Sequence, residues 1–235
     1  MEKARRRIEQ IQDMNMCAVV IMAKAPVPNE VKTRLTPPLR PEEASYLYQN
    51  FLLDKIEQVK GIEASHFISY TPDTSEAFFR SIMPPGFSLI NQVGADLGER
   101  LVNVSNRLFA QGAQKVVVLD SDTPNLPSDH ICGALSRLDE VDVVIGPCED
   151  GGYYLIGMRS FMPELFIGIP WSTSRVTELT IMKAQNLGFT VSLLDAWYDV
   201  DNAIDLERLK KDMDSPSEKC FYCENTFRTL SLLHI

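Results

Sequence analysis

The chain has 235 residues, of which 45% are hydrophobic and 23% are charged, and its formal net charge is −9. This composition is that of a globular protein, and no apolar run approaches the ~20 residues that a membrane-spanning helix needs. A chain this acidic lacks the basic face that general nucleic-acid binding requires, which excludes nucleic acid as the expected partner.

Cysteine usage and the N-terminus predict a cytoplasmic protein. The five cysteines are an odd number, which fits reduced thiols better than a disulfide framework. Cys220 and Cys223 form a C-x-x-C pair, but no second Cys or His pair at zinc spacing accompanies it. Residues 1–15 lack the apolar stretch of a signal peptide and are interpreted as a charged leader. Residues 16–235 are then one domain that ends in a helix.

Strand and helix patterns alternate along most of the chain. Continuous apolar runs predict buried strands, and apolar stripes with a period of 3.6 residues predict helices. This alternation implies an α/β fold with a mostly parallel sheet that helices cover on both faces. The predicted strands are 17–23, 66–70, 87–90, 116–119, 141–145, 153–157 and 190–194, and the predicted helices are 41–59, 73–82, 97–111, 128–138, 174–187, 202–213 and 217–231.

A basic loop follows the first predicted strand, at the sheet edge where open α/β sheets bind ligands. It contains Lys24, Lys32 and Arg34. Lysine offers phosphate a point charge and arginine a bidentate fork. In an acidic chain these three cations predict a bound anion, with a solvated loop of scattered charges as the alternative.

Aspartates follow two of the later elements. Asp120 and Asp122 come directly after the strand 116–119, and Asp201 precedes the helix 202–213. Carboxylates at this sheet edge suit a hard cation such as Mg²⁺ or Mn²⁺. We expect one residue of the first pair to bind metal together with Asp201. The alternative is that these side chains cap the turn or helix that follows them.

The segment Glu149–Tyr153 combines two acids with two glycines. Asp150 or Glu149 is a candidate general base for an acceptor hydroxyl, and the glycines permit a close approach of ligand to backbone. A plain hairpin turn is the alternative. Trp171 lies on no periodic face and is a candidate for stacking on a ligand, although a buried Trp is nearly as plausible.

A polar, glycine-containing segment follows the strand 87–90. Its backbone and side chains are candidates for contacting a nucleobase edge, but Asp96 could equally cap the helix that begins beside it. The candidate residues of this segment are Gln92, Gly94, Asp96 and Gly98.

Together and in this order, these motifs resemble the GT-A-type nucleotide-diphospho-sugar transferase superfamily. They are most similar to a bacterial glycosyltransferase-like subgroup associated with radical-SAM and selenium-related domains. The resemblance covers about residues 17–212. Asn29 stands where the subgroup has Gly, and Asp120 stands where a small residue is common. The matching segments are 24–35, 97–100, 121–124, 150–153 and 199–201.

The resemblance implies a three-layer α/β/α fold and a specific set of site residues. It implies a divalent metal on Asp122 and Asp201, which leaves the role of Asp120 open. Phosphate contacts are implied for Lys24, Lys32 and Arg34, and base contacts for the segment from Gln92 to Gly98. Thr33 is a further candidate for phosphate binding. The candidates for contacting the acceptor are Gly151, Gly152, Tyr153, Trp171 and Ser172.

Three functions are compatible with these motifs. The first is transfer of a glycosyl group from a nucleotide-diphosphate sugar to a small-molecule acceptor, which the superfamily slightly favours. The second is nucleotidyl transfer, similar to that of guanylyltransferases in the superfamily, with release of pyrophosphate. The third is nucleotide binding without catalysis. The sequence specifies neither the acceptor nor the oligomeric state.

Overall fold

The structure is a computed structural model that describes residues 16–214 and 220–233. The predicted leader therefore lies outside the described residues, as does the start of the last predicted helix. No helix in the described part is long and apolar enough to cross a membrane.

Seven strands and seven α-helices make up the described fold, with short 3₁₀ turns between some of them. The strands are β1 (Cys17–Lys24), β2 (Ser65–Thr71), β3 (Phe87–Asn91), β4 (Lys115–Leu119), β5 (Val143–Pro147), β6 (Tyr153–Met158) and β7 (Val191–Leu193). The helices are α1 (Pro41–Lys60), α2 (Glu76–Ile82), α3 (Leu97–Ala110), α4 (Ser128–Arg137), α5 (Val176–Asn186), α6 (Ala203–Asp214) and α7 (Glu224–Leu232).

The strands form one sheet in the order β3-β2-β1-β4-β6-β5-β7. All neighbours are parallel except β6, which runs antiparallel to both β4 and β5. Alternate residues of β1 enter two cores: Val19 packs on the face covered by α1, and Val20 packs on the face covered by α3. The predicted α/β fold, with helices on both faces of a mostly parallel sheet, is confirmed.

The last helix begins later than the sequence pattern predicts. Its first turn is capped by Asp54 of α1, whose carboxylate accepts hydrogen bonds from the backbone N–H groups of Asn225 (3.0 Å) and Thr226 (2.8 Å). Because the first amides of a helix need such external acceptors, this tertiary contact fixes the start of α7 at Glu224. A cap that lies about 170 residues away along the chain leaves no local signal.

β5 begins two residues later than predicted, after Asp142, whose side chain binds residues beside the neighbouring strands. Its Oδ2 accepts hydrogen bonds from the backbone N–H (2.8 Å) and the hydroxyl (2.6 Å) of Thr190, and its Oδ1 accepts one from Arg159 Nε (2.7 Å). One carboxylate therefore ties the start of β5 to the segments beside β6 and β7. The hydrogen bonds from Thr190 are the largest cause of a lowered pKa of Asp142, and the hydrogen bond and positive charge of Arg159 lower it further.

Replacing Asp142 with Asn is expected to lower the free energy of unfolding by about 1–3 kcal/mol, because donors of Thr190 and Arg159 lose a charged acceptor. A depressed folded-state pKa contributes stability above the unfolded pKa of about 3.9, and this contribution is lost as pH falls through the folded pKa. Urea unfolding of both proteins should therefore show a difference at neutral pH that shrinks in acid. Asp139→Asn changes a carboxylate that is 69% exposed and pairs with Lys115, and as the control it should have little effect. An equal effect of both substitutions would contradict this assignment.

Candidate functional site

The basic loop between β1 and α1 carries a buried lysine. Lys32 has a left-handed backbone (φ 48°) directly before a one-turn 3₁₀ helix. Its ammonium lies 2.5 Å from Asp122 Oδ1 and 2.8 Å from Asp201 Oδ1. The side chain is only 4% exposed. The sequence treated these three residues as separate phosphate and metal ligands, and the structure joins them in one ion-paired group.

The electrostatic balance around Lys32 keeps it charged. Burial by itself lowers the pKa of this lysine, but the charges and hydrogen bonds of Asp122 and Asp201 outweigh that effect and raise its pKa above the ordinary value. For Asp201, burial acts to raise the pKa, and Lys32 outweighs it, so that the pKa lies below its usual range. The site therefore keeps a positive charge held between two negative ones.

The other predicted residues of the loop are exposed. Arg34 approaches Asp201 Oδ2 at 3.7 Å and lines the same pocket as the aspartates. Lys24 donates a hydrogen bond to the backbone oxygen of Glu30 (3.0 Å) within its own loop, and Thr33 is exposed. Asn29, which stands where the related subgroup has Gly, adopts φ 64°, so the turn keeps its left-handed residue.

The segment after β4 is held by buried polar contacts. Lys55 of α1 donates hydrogen bonds to the backbone oxygen (2.7 Å) and hydroxyl (2.9 Å) of Thr123. The Thr123 hydroxyl in turn donates to Asp120 Oδ1 (2.6 Å). Burial raises the pKa of Asp120 above its usual range. Asp120 thus joins a structural network while it also lines the pocket.

The two acids after β5 have different surroundings. Glu149 accepts two hydrogen bonds from the guanidinium of Arg208, at 2.6 and 3.0 Å, and this pairing lowers the pKa of Glu149. Asp150 instead lines the pocket, and its Oδ1 accepts a hydrogen bond from the backbone N–H of Gly152 (2.7 Å). Of the two predicted base candidates, the geometry leaves only Asp150 facing the pocket.

Gly151 fits a close contact between two loops. It has φ +93°, and a Cβ at this position would overlap the backbone carbonyl of Ser174. The loop that contains Ser174 also contains Trp171, whose ring lies edge-on to the ring of Tyr153, with 6.4 Å between the ring centroids. Ser172 adopts φ 62° and lines the pocket with Trp171. The predicted acceptor residues are therefore adjacent in space, although the sequence separates them.

The segment after β3 is largely engaged in holding the fold. The side-chain amide of Gln92 donates hydrogen bonds to the backbone oxygens of Ala23 (3.2 Å) and Ser69 (2.7 Å). Asp96 caps α3 by accepting a hydrogen bond from the backbone N–H of Glu99 (2.9 Å). The side chains of Gln92 and Asp96 therefore stabilise the fold. Contact between this segment and a nucleobase stays a prediction.

The two glycines of this segment are also sterically constrained. Gly94 adopts φ +141°, and a Cβ added to Gly98 would lie 2.6 Å from Trp171 Nε1. The start of α3 therefore packs directly against the loop that contributes predicted acceptor residues.

One pocket of about 420 Å³ lies at the carboxyl ends of the central strands, a size typical of small-molecule sites. Asp199 lines it, and burial, followed by the charges of Asp150 and Asp201, raises the pKa of Asp199 to about 6. The pocket also contains four residues that are not among those predicted from the sequence, although Asp199 belongs to the matched 199–201 motif: Asp199, Cys148, Thr173 and Ser174. The aspartates that line this pocket are Asp120, Asp122, Asp150, Asp199 and Asp201.

A divalent metal fits the chemistry of this donor set. Carboxylate oxygens are the ligands that Mg²⁺ and Mn²⁺ prefer. Asp122 and Asp201, the predicted metal ligands, line the pocket, and one carboxylate oxygen of each is ion-paired with the ammonium of Lys32. They would hold a hard cation with their remaining oxygens, and metal binding stays a prediction.

The parallel sheet with a pocket at its strand ends has the architecture of nucleotide-diphospho-sugar transferases, as the sequence indicated. The chain belongs to the family described as "Uncharacterized protein conserved in bacteria (DUF2064)", whose profile matches residues 53–173.

Two relatives with transferase names are similar along most of the chain. A presumed nucleotide-diphospho-sugar transferase of Desulfovibrio desulfuricans G20 has a similar structure, with a TM-score of 0.85 and 33% identity, over 94% of this chain and 97% of that protein. A 2-phospho-L-lactate guanylyltransferase of Methanothermobacter thermautotrophicus is 26% identical over 200 residues, which are 82% of this chain and 83% of that protein.

A third protein shares the fold at low identity. A 4-diphosphocytidyl-2C-methyl-D-erythritol synthase of Anaerococcus prevotii DSM 20548 has a TM-score of 0.57 and 11% identity, over 85% of this chain and 99% of that one. The first two relatives carry the names of transferases, in agreement with the enzyme class that the sequence predicts.

Proposed function

We propose that the protein is a nucleotidyltransferase, which transfers the nucleoside monophosphate of a nucleoside triphosphate to a phosphorylated small-molecule acceptor. The observation that carries this proposal is that Arg34 lines the same pocket as the aspartates, two of which, Asp122 and Asp201, are ion-paired with the buried Lys32. The guanylyltransferase relative, which is similar over 82% of the chain, supports the same chemistry. The sequence alone slightly favoured glycosyl transfer.

The surroundings of the two base candidates support nucleotidyl transfer over glycosyl transfer. A hydroxyl acceptor must give up a proton to a base during attack. The pairing with Arg208 lowers the pKa of Glu149 and occupies both of its oxygens, which leaves Asp150 as the one of these two candidates that lines the pocket. A phosphate acceptor carries an ionised oxygen and needs no such base. Glycosyl transfer remains the second candidate because the relative that is 33% identical is named for nucleotide sugars.

In the proposed reaction, an oxygen of the acceptor phosphate attacks the α-phosphorus of the triphosphate. The bond from that phosphorus to the bridging oxygen breaks, and pyrophosphate leaves with the electron pair. Arg34 at the pocket offers a guanidinium fork to the leaving pyrophosphate, while Lys32 adds a fixed positive charge behind it. A divalent cation on the aspartates would supply further neutralisation of the leaving group.

Product analysis tests this proposal. The purified protein is incubated with each common nucleoside triphosphate, Mg²⁺ or Mn²⁺, and a panel of phosphorylated 2-hydroxy acids, the acceptor class suggested by the guanylyltransferase relative. We expect acceptor-dependent release of pyrophosphate and a new nucleoside diphosphate linkage by ³¹P NMR. Release of a nucleoside diphosphate from nucleotide sugars, without pyrophosphate release in the first assay, would instead establish glycosyl transfer.

Arg34→Ala is expected to reduce kcat/KM for the triphosphate by about 10- to 100-fold, because a charged hydrogen bond to phosphate contributes roughly 1.5–3 kcal/mol. Arg34 is 78% exposed, so its replacement should leave the free energy of unfolding nearly unchanged. The matched control is Arg228→Ala on α7, since Arg228 is 71% exposed and pairs with Glu224 away from the pocket. Steady-state kinetics that show equal losses for both variants would remove Arg34 from the phosphate site.

A further inference from the structure

A second group of metal-ligand atoms lies in the pocket, beside those that the sequence indicated. Cys148, Asp150 and Asp199 each offer one ligand atom, and these atoms all lie within 4.8 Å of one another. All three residues line the pocket. Asp199 and Cys148 are not among the residues predicted from the sequence, and only the fold brings them close to Asp150.

The backbone holds these residues together. Cys148 forms an isolated parallel bridge with Trp197, in which the N–H of Glu149 donates to the Trp197 oxygen at 3.0 Å. The N–H of Trp197 donates to the Pro147 oxygen at 3.0 Å. These bonds extend the pairing of β5 with the segment after β7 and bring Asp199 beside Cys148. The cluster therefore rests on ordered backbone, as a metal site requires.

The thiol of Cys148 is an unusual group to place here. Cys148 is only 8% exposed, it lines the pocket, and within residues 16–214 and 220–233 its sulfur has no hydrogen-bond partner. In the same ranges, Asp150 and Asp199 have no Lys, Arg or His within ion-pair distance, whereas Asp122 and Asp201 share Lys32. Within the described residues, a buried sulfur thus lies beside two carboxyl groups that form no ion pair with a basic side chain.

We propose that Cys148, Asp150 and Asp199 bind a divalent cation through one sulfur and two oxygens. A thiolate ligand selects borderline-soft ions such as Zn²⁺ or Co²⁺ and disfavours Mg²⁺, which prefers oxygen ligands. On binding, the thiol releases its proton to solvent as the sulfur–metal bond forms. Three protein ligands at a pocket wall leave coordination positions for water or substrate, the arrangement of catalytic rather than structural zinc sites.

Cobalt titration tests this site without any assay of activity, so its outcome is independent of the proposed nucleotidyl transfer. Co²⁺ is added to the whole reduced protein without nucleotide, and the sulfur-to-cobalt charge-transfer band is followed in the near ultraviolet. We expect a saturable band that Zn²⁺ abolishes and that an excess of Mg²⁺ leaves in place. Absence of the band at saturating Co²⁺, or its loss on adding Mg²⁺ alone, would overturn the proposal.

Variants assign the band to particular ligands. Cys148→Ala is expected to abolish it, and Asp199→Asn to weaken Co²⁺ binding at least about tenfold. Cys132→Ser, at an exposed cysteine, and Cys220→Ser, which disrupts the C-x-x-C pair, are matched controls that should keep the band. Circular dichroism checks that each variant is folded. A band that persists in Cys148→Ala, or that disappears in Cys220→Ser, would contradict the assignment.

Discussion

Replacing Lys32 with Met is expected to lower kcat/KM for nucleoside triphosphate turnover by about 10²–10³-fold, the usual effect of removing a preorganised charge close to developing negative charge. The side chain of Lys32 is 4% exposed, and its ammonium lies between Asp122 and Asp201. Its removal leaves Asp122 and Asp201 without their shared buried counter-charge, and only the exposed Arg34, 3.7 Å from Asp201, remains nearby. Steady-state kinetics measure the loss, with Lys60→Met at an exposed ion pair on α1 as control. Activity of Lys32→Met within twofold of wild type would contradict this role.

The same substitution should also destabilise the fold, and a double variant separates the two effects. Breaking a buried charge pair by removing one partner costs about 3–5 kcal/mol, and less where the partners reach solvent, as Asp122 and Asp201 partly do. Adding Asp201→Asn to Lys32→Met removes one of the unpaired charges. We expect the double variant to regain part of the lost stability in urea unfolding while its activity stays low. Recovery of activity together with stability would show that Lys32 only maintains the fold.

Gly151→Ala is expected to be the most damaging single methyl addition at the site. A non-glycine residue at its φ of +93° costs roughly 1–2 kcal/mol, and the added Cβ would also overlap the carbonyl of Ser174. One of the two loops must move, which displaces Asp150 or the segment from Trp171 to Ser174. We expect kcat/KM to fall by about 10²-fold, as misplacement of positioning groups by an ångström does.

Gly112→Ala is the matched control for this prediction. Gly112 follows α3 with φ +97°, but a Cβ there meets no atom within 4 Å. It should therefore show the backbone cost of about 1–2 kcal/mol in urea unfolding without a change in activity. If the two alanine variants have equal activity and equal stability, close packing of the loops at Gly151 is not what the site requires.

The sequence predicts the elements of this fold well because buried strands and amphipathic helices leave local patterns. The apolar runs from Cys17 and Val116 predict the buried strands β1 and β4, which lie side by side in the interior of the sheet. The pattern at Tyr153 predicts a strand, but not that it runs antiparallel between β4 and β5. Order and direction depend on which surfaces pack together, and no single segment carries that information.

In the candidate site, too, local patterns predict some residues, and long-range contacts place the others. Position after a strand selected Lys32 and Asp122, and position before a helix selected Asp201. The structure brings the ammonium of Lys32 into contact with both aspartates. The pairing of Glu149 with Arg208 joins residues 59 positions apart. The placement of Cys148 beside Asp199 depends on a backbone bridge to Trp197. Neither arrangement has a local signal, so the sequence could not separate the two acids after β5 or find the thiol.

A crystal structure of the protein with a non-hydrolysable nucleoside triphosphate tests the central claim most directly. We expect the phosphates to lie in the pocket lined by the five aspartates, with phosphate oxygens in contact with the guanidinium of Arg34 and close to the ammonium of Lys32. Phosphates bound at another surface, or directed away from both cations, would contradict the account.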